Sequence, residues 1–278
     1  MNKIFYKYRK INDLTIDSLK NHYFYLANPS NFNDLDDTLI PNEFKASFDE
    51  IINWGEKFDQ HPAVVSFLAK NPSYLNSPTF LKKMAKIPEK IRGLCHIFCV
   101  TEESDNNIMW EKYGDLNAGI CIGYESVFKA DNYLLEIVRD IGNHFVVYDP
   151  NDENKIYLVL TKVKYDRTSL EPYNPFKHDT AKVRSGFLSK APKWSDENEY
   201  RAIIMDLLDT NFDPKIPYNK SILKEIIFGS KTQKSKKIKV ITTIQQNYNI
   251  KNINFFEMHI DESMNLIKRE CDCRKIVP

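Results

Sequence analysis

The order of strand-like and helix-like stretches is the feature of this sequence that most restricts its fold. Stretches with the alternation or the aromatic and β-branched content of strands lie near residues 3–9, 95–100, 118–124, 156–165 and 199–205. A segment with helical periodicity, residues 43–92, is cut into three pieces by four prolines. Because strands and helices are segregated, the pattern predicts an α+β fold and not a doubly wound parallel sheet. We expect one domain over residues 1–278, with a twisted or split, mixed or antiparallel sheet as its core and residues 43–92 as a helical insertion.

Charge and hydropathy argue against some classes of function. The net charge of +1 gives no overall field that would attract nucleic acid or an anionic membrane. Residues 220–239 carry seven lysines against one glutamate. The apolar positions Ile238, Val240, Ile241 and Ile244 predict that the lysines of residues 231–239 form the solvated polar face of a helix. No apolar run is long enough to span a bilayer, and "MNKIFYKYRK" lacks the apolar stretch of a signal peptide. We therefore expect a cytoplasmic protein without a membrane partner.

The stretch "KWSDENEYRAII", residues 193–204, is the leading candidate for chemistry. If it is a strand, alternation places Glu197, Glu199 and Arg201 on one face. Two carboxylates this close raise each other's pKa unless a cation compensates, and Arg201 is placed to do so. Two interpretations stay open: a structural ion-pair network, or a carboxylate pair at the opening of an active site.

Two aromatic residues precede this stretch on a short predicted helix, "DNNIMWEKYGD", which Asp105 or Asn106 caps. Trp110 and Tyr113 share helical spacing. Either they belong to the core, or they form the wall of a pocket that stacks on a flat ring.

Polar residues follow the first two predicted strands. In "YKYR", alternation places Lys7 and Arg9 on one face, where they are either snorkelling surface cations or ligand contacts. The loop "NPSNFNDLDD" contains Asn33 and Asp34 among residues typical of caps and turns. An oxygen-rich metal site is the functional alternative. Because the loop lacks the spacing of a calcium-binding loop and a nearby histidine, we predict no metal ligands.

Four blocks together resemble one bacterial family. They are Tyr-Lys-Tyr-Arg at 6–9, Pro-x-x-Phe-Asn-Asp at 29–34, Met-Trp-x-x-Tyr at 109–113 followed by "GICIGY", and "KWSDENEYR". In this order they resemble the family catalogued as domain of unknown function 2971. One departure concerns the loop, where "LDD" follows Asn-Asp in place of the family's Pro-Phe-Asp. The resemblance covers most of the chain apart from residues 43–92 and the C-terminal segment, and it implies no particular activity.

The layout also resembles that of ADP-ribosyltransferases. In those proteins a first strand ends in a cation or histidine, a second carries an aromatic or hydroxyl residue, and a late strand opens with Glu-x-Glu. Here Arg9 or Lys7, Tyr25 with the Pro29–Asp34 loop, and Glu197-Asn198-Glu199 fill those places, while the Ser-Thr-Ser of the second strand is absent. The resemblance implies an ADP-ribosyltransferase-like fold and an enzyme that consumes NAD as its substrate, acting as a toxin or effector of a bacterial defence system.

The same resemblance implies roles for individual residues. Glu199 would stabilise the oxocarbenium character that develops on the ribose, and Glu197 would orient or deprotonate the acceptor. A first-strand cation would hold the diphosphate or the ribose. The NAD-binding residues would be Arg9, Lys7, Tyr25, Asn33, Asp34, Trp110 and Tyr113. The acceptor, protein or nucleic acid, and a partner protein of a defence or toxin system stay open.

Two other functions fit the same residues. In a metal-dependent nuclease or phosphodiesterase, Asp34, Asp36, Glu197 and Glu199 would hold Mg²⁺, and the lysines of residues 220–239 would lie along nucleic acid. In a sensor module, the charged cluster would bind a nucleotide without turnover. Release of nicotinamide from NAD separates the three.

Overall fold

A computed structural model describes residues 2–32, 34, 36–84, 86–138, 146–177, 180–206, 212–263 and 266–271. The chain divides into two compact units. The first unit comprises Met1–Ala27, His96–Val163 and Ser195–Pro278, and the second comprises Asn28–Cys95 and Lys164–Trp194. The predicted helical segment 43–92 lies within the second unit. That the chain is one domain with this segment as an insertion stays a prediction.

Twelve strands are present in the described residues. They are β1 (Lys3–Arg9), β2 (Tyr23–Tyr25), β3 (Cys95–Thr101), β4 (Ile120–Lys129), β5 (Asn132–Ile137), β6 (Val146–Asp149), β7 (Asp152–Lys162), β8 (Glu199–Met205), β9 (Lys215–Pro217), β10 (Leu223–Phe228), β11 (Asn254–Ile260) and β12 (Leu266–Glu270). The five strands that the sequence predicts correspond to β1, β3, β4, β7 and β8.

Ten of these strands form one sheet, in the order β1-β3-β8-β7-β5-β4-β10-β11-β12 with β6 beside β7. Because β1 also pairs with β4, the first six strands of this order close into a barrel. Most pairings are antiparallel, and β10 and β11 are parallel. The remaining strands, β2 and β9, form a two-stranded sheet. The α+β prediction with a mixed sheet core is therefore confirmed.

Eight α-helices accompany the strands in the described residues. They are α1 (Asp13–Lys20), α2 (Phe48–Lys57), α3 (Pro62–Lys70), α4 (Pro78–Met84), α5 (Lys86–Gly93), α6 (Asn107–Lys112), α7 (Thr180–Phe187) and α8 (Lys234–Asn247). Short 3-10 helices cover Pro29–Asn31, Pro72–Asn76, Pro192–Glu197, Lys220–Ile222 and Ile250–Asn252. Within these ranges no helix combines the length and the apolar character needed to cross a bilayer.

Strand alternation builds two cores in the first unit. In β1, Phe5 points into the main core, while Tyr6 and Tyr8 point the other way into a cluster with Trp110 and Cys121. β1 therefore has buried aromatic side chains on both of its faces.

The hairpin between β4 and β5 has a two-residue turn, Ala130 and Asp131, with φ angles of 46° and 59°. Positive φ at both turn positions matches the right-handed twist of the flanking strands. This turn brings β5 back against β4 and contributes one of the pairings that close the barrel.

The second unit has its own core, formed by Ile51, Leu68, Leu75, Phe80 and Phe176 together with smaller neighbours. Its first helix, α2, begins with a reciprocal pair of hydrogen bonds between Ser47 and Glu50, which satisfy two backbone N–H groups.

Candidate functional site

The first residues of β8 carry a buried ion pair. Arg201 donates from Nε to Glu199 Oε1 at 2.7 Å and from Nη2 to Glu199 Oε2 at 3.0 Å. Glu199 is 5% exposed and Arg201 is 1% exposed. Their positions two residues apart on one strand face confirm the alternation predicted for this pair. A two-bond guanidinium–carboxylate contact fixes the carboxylate plane and favours its ionised form.

A thiol on the neighbouring strand β3 also lies near Glu199. Burial, and next the Glu199 charge, raise the pKa of Cys99 to about 12. The thiol is therefore protonated at neutral pH and behaves as a weak hydrogen-bond donor.

Glu197 does not continue the strand, which corrects the predicted alternation of Glu197 with Glu199. It ends the 3-10 helix Pro192–Glu197, and Asn198, with φ of 42°, turns the chain into β8. A left-handed residue between the two glutamates changes the direction of the backbone, so the two-residue period of a strand does not apply. Glu197 is 2% exposed, and its Oε1 accepts a hydrogen bond from the Tyr113 hydroxyl at 3.0 Å.

A hydrogen-bond network connects this turn to the segment before α6. Asn106 caps α6 by accepting from Met109 N through Oδ1 at 3.1 Å. Its Nδ2 donates to Glu103 Oε2 at 2.9 Å and to the Asp196 carbonyl at 2.5 Å. Asn198 Nδ2 donates to Glu103 Oε1 at 3.2 Å. The blocks around "DNNIMWEKYG" and "KWSDENEYR" are therefore brought together, as a shared site requires.

An open groove of about 450 Å³ lies beside this network. Its lining residues are Glu103, Asn106, Asn107, Ile108, Ser195, Asp196 and Asn198. Carboxylate, amide and hydroxyl groups of this kind form hydrogen bonds with sugar hydroxyls. The sequence pattern identifies Asn106 only as a helix cap and does not single out Glu103. An acidic residue three positions before a capping asparagine is the signal that was available.

The first-strand cations have local partners. Lys7 Nζ donates to the Cys99 carbonyl at 2.7 Å and lies 5.2 Å from the centroid of the Phe98 ring. Burial is the largest influence on the pKa of Lys7 and lowers it. Arg9 Nη1 donates to Ser18 Oγ at 3.1 Å. A role for either cation in holding a diphosphate or a ribose stays a prediction.

The predicted aromatic contacts differ in accessibility. Trp110 is fully buried, packs edge-on against Tyr8 at 5.1 Å, and donates from Nε1 to the Ser104 carbonyl. Its ring meets protein in this conformation, so stacking on a ligand would require the ring to move. Tyr113 is half-buried at the end of α6, and Tyr25 is 44% exposed on β2.

The residues predicted in the Pro29–Asp34 loop belong to the second unit. Asn33 lies outside the described residues. Asp34 accepts from the Asp36 backbone N–H through Oδ1 at 3.2 Å, and its buried Oδ2 has no hydrogen-bond partner in the described structure. Two guanidinium groups, Arg92 and Arg167, donate to oxygen atoms of residues 29–39 and hold the backbone of this loop.

The lysine-rich segment contains the polar face of α8. Val240, Ile241 and Ile244 are fully buried, as predicted, and Ile238 is partly buried. Three lysines of the helix form ion pairs within the first unit: Lys236 with Asp115 at 3.6 Å, Lys237 with Glu257 at 2.8 Å and Lys239 with Asp13 at 2.9 Å. The positive charge of the helix is therefore partly neutralised by neighbouring carboxylates.

Candidate metal ligands were considered among histidine, cysteine, aspartate and glutamate side chains. In the ranges that the structure describes, no three of them are grouped so that they could hold an ion.

Residues 109–202 match the model of a family described as "Protein of unknown function (DUF2971)". The matched residues are less than half of the chain and contain Trp110, Tyr113, Glu197, Glu199 and Arg201. The Tyr6–Arg9 and Pro29–Asp34 blocks lie outside them. No curated protein and no solved structure matches the chain.

Proposed function

We propose that this protein is an NAD-dependent ADP-ribosyltransferase-like enzyme. The observation that carries the proposal is the pair of buried glutamates on either side of Asn198, each hydrogen-bonded to a different partner. Glu199 is held by Arg201 through two hydrogen bonds, and Glu197 is held by the Tyr113 hydroxyl. Two carboxylates with different hydrogen-bond partners suit a reaction in which one carboxylate stabilises a positive charge and the other accepts a proton.

In the proposed reaction the bond between ribose C1′ and the nicotinamide nitrogen breaks. The bonding electron pair leaves with nicotinamide, which becomes neutral, and the ribose takes on oxocarbenium character. Glu199, kept ionised by Arg201, stabilises that positive charge. An acceptor nucleophile then bonds to C1′ and gives its proton to Glu197. When water replaces the acceptor, the products are nicotinamide, ADP-ribose and a proton.

The rest of the proposed site draws on neighbouring groups. The groove beside residues 195–198 offers carboxylate, amide and hydroxyl groups to the ligand. Tyr113 donates to Glu197, whose two sequence neighbours, Asp196 and Asn198, line that groove. Lys7 or Arg9 supplies the cation for the diphosphate, together with Tyr25. The proposal extends to an ADP-ribosyltransferase-like fold for the first unit, supported by the order of a cation-ending β1, an aromatic β2 and a late strand opened by glutamate.

Consumption of NAD suits a cytoplasmic toxin or an effector of a bacterial defence system. The acceptor is then a protein or a nucleic acid, and a partner protein would restrain the activity until it is needed.

The test is incubation of the purified protein with NAD, with nicotinamide and ADP-ribose separated by chromatography. Glu197→Gln is the informative variant: it should reduce transfer to an acceptor more than hydrolysis, because hydrolysis needs only water. Glu102→Gln is the matched control, since Glu102 pairs with Lys3 at 2.7 Å and does not line the groove. Binding of NAD without release of nicotinamide would instead identify a sensor, and magnesium-dependent loss of nucleic acid would identify a nuclease. Either result contradicts the proposal.

A further inference from the structure

We infer that Glu103 and Asn106 are positioning residues that set the orientation of the two glutamates through the turn of residues 195–199, called here the carboxylate turn. The inference rests on the proposed function. Neither residue touches Glu197 or Glu199 through a hydrogen bond in the described structure. Both act on the residues beside them.

Side chains at both ends of helix α6 form hydrogen bonds with the carboxylate turn. At its first end, Asn106 donates to the Asp196 carbonyl at 2.5 Å. At its last end, Tyr113 donates to Glu197 at 3.0 Å. Since the Asn106 side chain also caps the helix, the position of the helix and that of the turn are coupled through one amide group.

Both carboxylate oxygens of Glu103 accept hydrogen bonds. Glu103, Asn106 and Asn198 together form a hydrogen-bonded set that we call the clamp. Oε2 accepts from Asn106 and Oε1 accepts from Asn198, so one carboxylate joins the two asparagines that flank Glu197 in space. The Glu103 carbonyl is itself fixed by the Tyr8 hydroxyl at 2.8 Å. No lysine, arginine or histidine forms an ion pair with Glu103 within the described ranges. The Glu103 carboxylate is therefore bound by two neutral amides. They fix the orientation of the carboxylate better than a flexible surface cation would.

Asn198 is the residue through which the clamp acts on the glutamates. Its φ of 42° lies in the left-handed region, which asparagine tolerates better than most residues. The backbone N–H of Asn198 donates to the Ser195 carbonyl at 3.2 Å and closes the turn. This left-handed residue separates Glu197 from Glu199, so a change in its backbone angles rotates one carboxylate relative to the other.

A swap of hydrogen-bond polarity tests the clamp. In Glu103→Gln, the new amide offers one acceptor and one donor, so it cannot accept from both asparagines. In Asn198→Asp, two carboxylates face each other. In the double variant, the introduced amide donates to the introduced carboxylate and still accepts from Asn106, and the groove keeps its original charge. We expect each single variant to slow nicotinamide release at saturating NAD by about tenfold to a hundredfold, and the double variant to recover to within about threefold of the original protein.

Hydrogen exchange of peptides covering residues 195–199 gives a readout that does not depend on the reaction. The single variants should exchange faster there, and the double variant should regain protection, with Glu102→Gln unchanged. In Asn198→Gly the glycine adopts the left-handed φ angle but lacks the side-chain amide, so this variant should also lose protection. It replaces Glu103→Gln in the experiment if Glu103→Gln does not fold.

If the original protein releases no nicotinamide, the proposed function fails, and the exchange data alone decide whether the clamp exists. Protection and rate in Glu103→Gln equal to those of the original protein, or a double variant as slow as the combined single variants, would overturn the inference.

Discussion

Replacing Glu199 by glutamine is expected to destabilise the protein strongly, because it removes a carboxylate that two hydrogen bonds join to a buried guanidinium. Arg201 is 1% exposed, and both of its bonds to Glu199 are shorter than 3.1 Å. Breaking a buried ion pair by removing one partner typically costs about 3–5 kcal/mol. For a chain of this size that corresponds to a fall in the melting temperature on the order of 10 °C. Loss of activity in this variant alone would therefore not separate catalysis from folding.

The assay is urea unfolding of Glu199→Gln, Arg201→Gln and the double variant. Removing both charges avoids the loss of only one member of this contact, so the double variant should be more stable than the sum of the single effects predicts. Glu102→Gln breaks a partly exposed pair with Lys3 and should cost less than about 1 kcal/mol. A change of less than 1 kcal/mol in Glu199→Gln, or strict additivity in the double variant, would refute the reasoning.

Three further outcomes are expected. Tyr113→Phe removes the hydroxyl that donates to Glu197 and should slow nicotinamide release by about tenfold to a hundredfold, since a hydrogen bond to a charged group contributes about 1.5–3 kcal/mol. An unchanged rate would exclude this hydrogen bond from the site. Because burial raises the pKa of Cys99 to about 12, iodoacetamide at pH 8 should leave this thiol unmodified until urea unfolds the protein, as mass spectrometry would show. Burial lowers the pKa of His96 below its ordinary value of 6.5, so the unfolded state binds the proton more tightly. The urea midpoint should therefore fall as the pH drops from 7 to 5, and His96→Gln should reduce that fall.

Local sequence patterns were enough to locate β1, β3, β4, β7 and β8 but not their pairing. The aromatic alternation of β1 and the apolar run of β8 give boundaries that match the structure. Strand β5 was not predicted, because "NYLLEI" is short and its turn contains no glycine. Closure of the barrel depends on β1 pairing with β4, which begins more than a hundred residues later. No local pattern specifies a pairing over that separation.

The candidate site could likewise be predicted from the sequence only in part. The shared face of Glu199 and Arg201 follows from strand period and was predicted correctly. The position of Glu197 was not, because the left-handed angle of Asn198 is a tertiary feature held by side chains from another segment. Helical spacing also does not distinguish Trp110 from Tyr113. The fold buries one ring completely and turns the hydroxyl of the other toward a glutamate.

The rate of nicotinamide release from NAD by the Glu199→Gln/Arg201→Gln double variant tests the central claim most directly. It should be measured beside the original protein, at a temperature where urea unfolding shows both to be folded. We predict measurable release by the original protein and a rate in the double variant lower by roughly a hundred- to a thousand-fold, because the ionised carboxylate that faces the oxocarbenium is gone. Equal rates in the two folded proteins would show that Glu199 and Arg201 form a structural ion pair. Release by neither would contradict the proposed function itself.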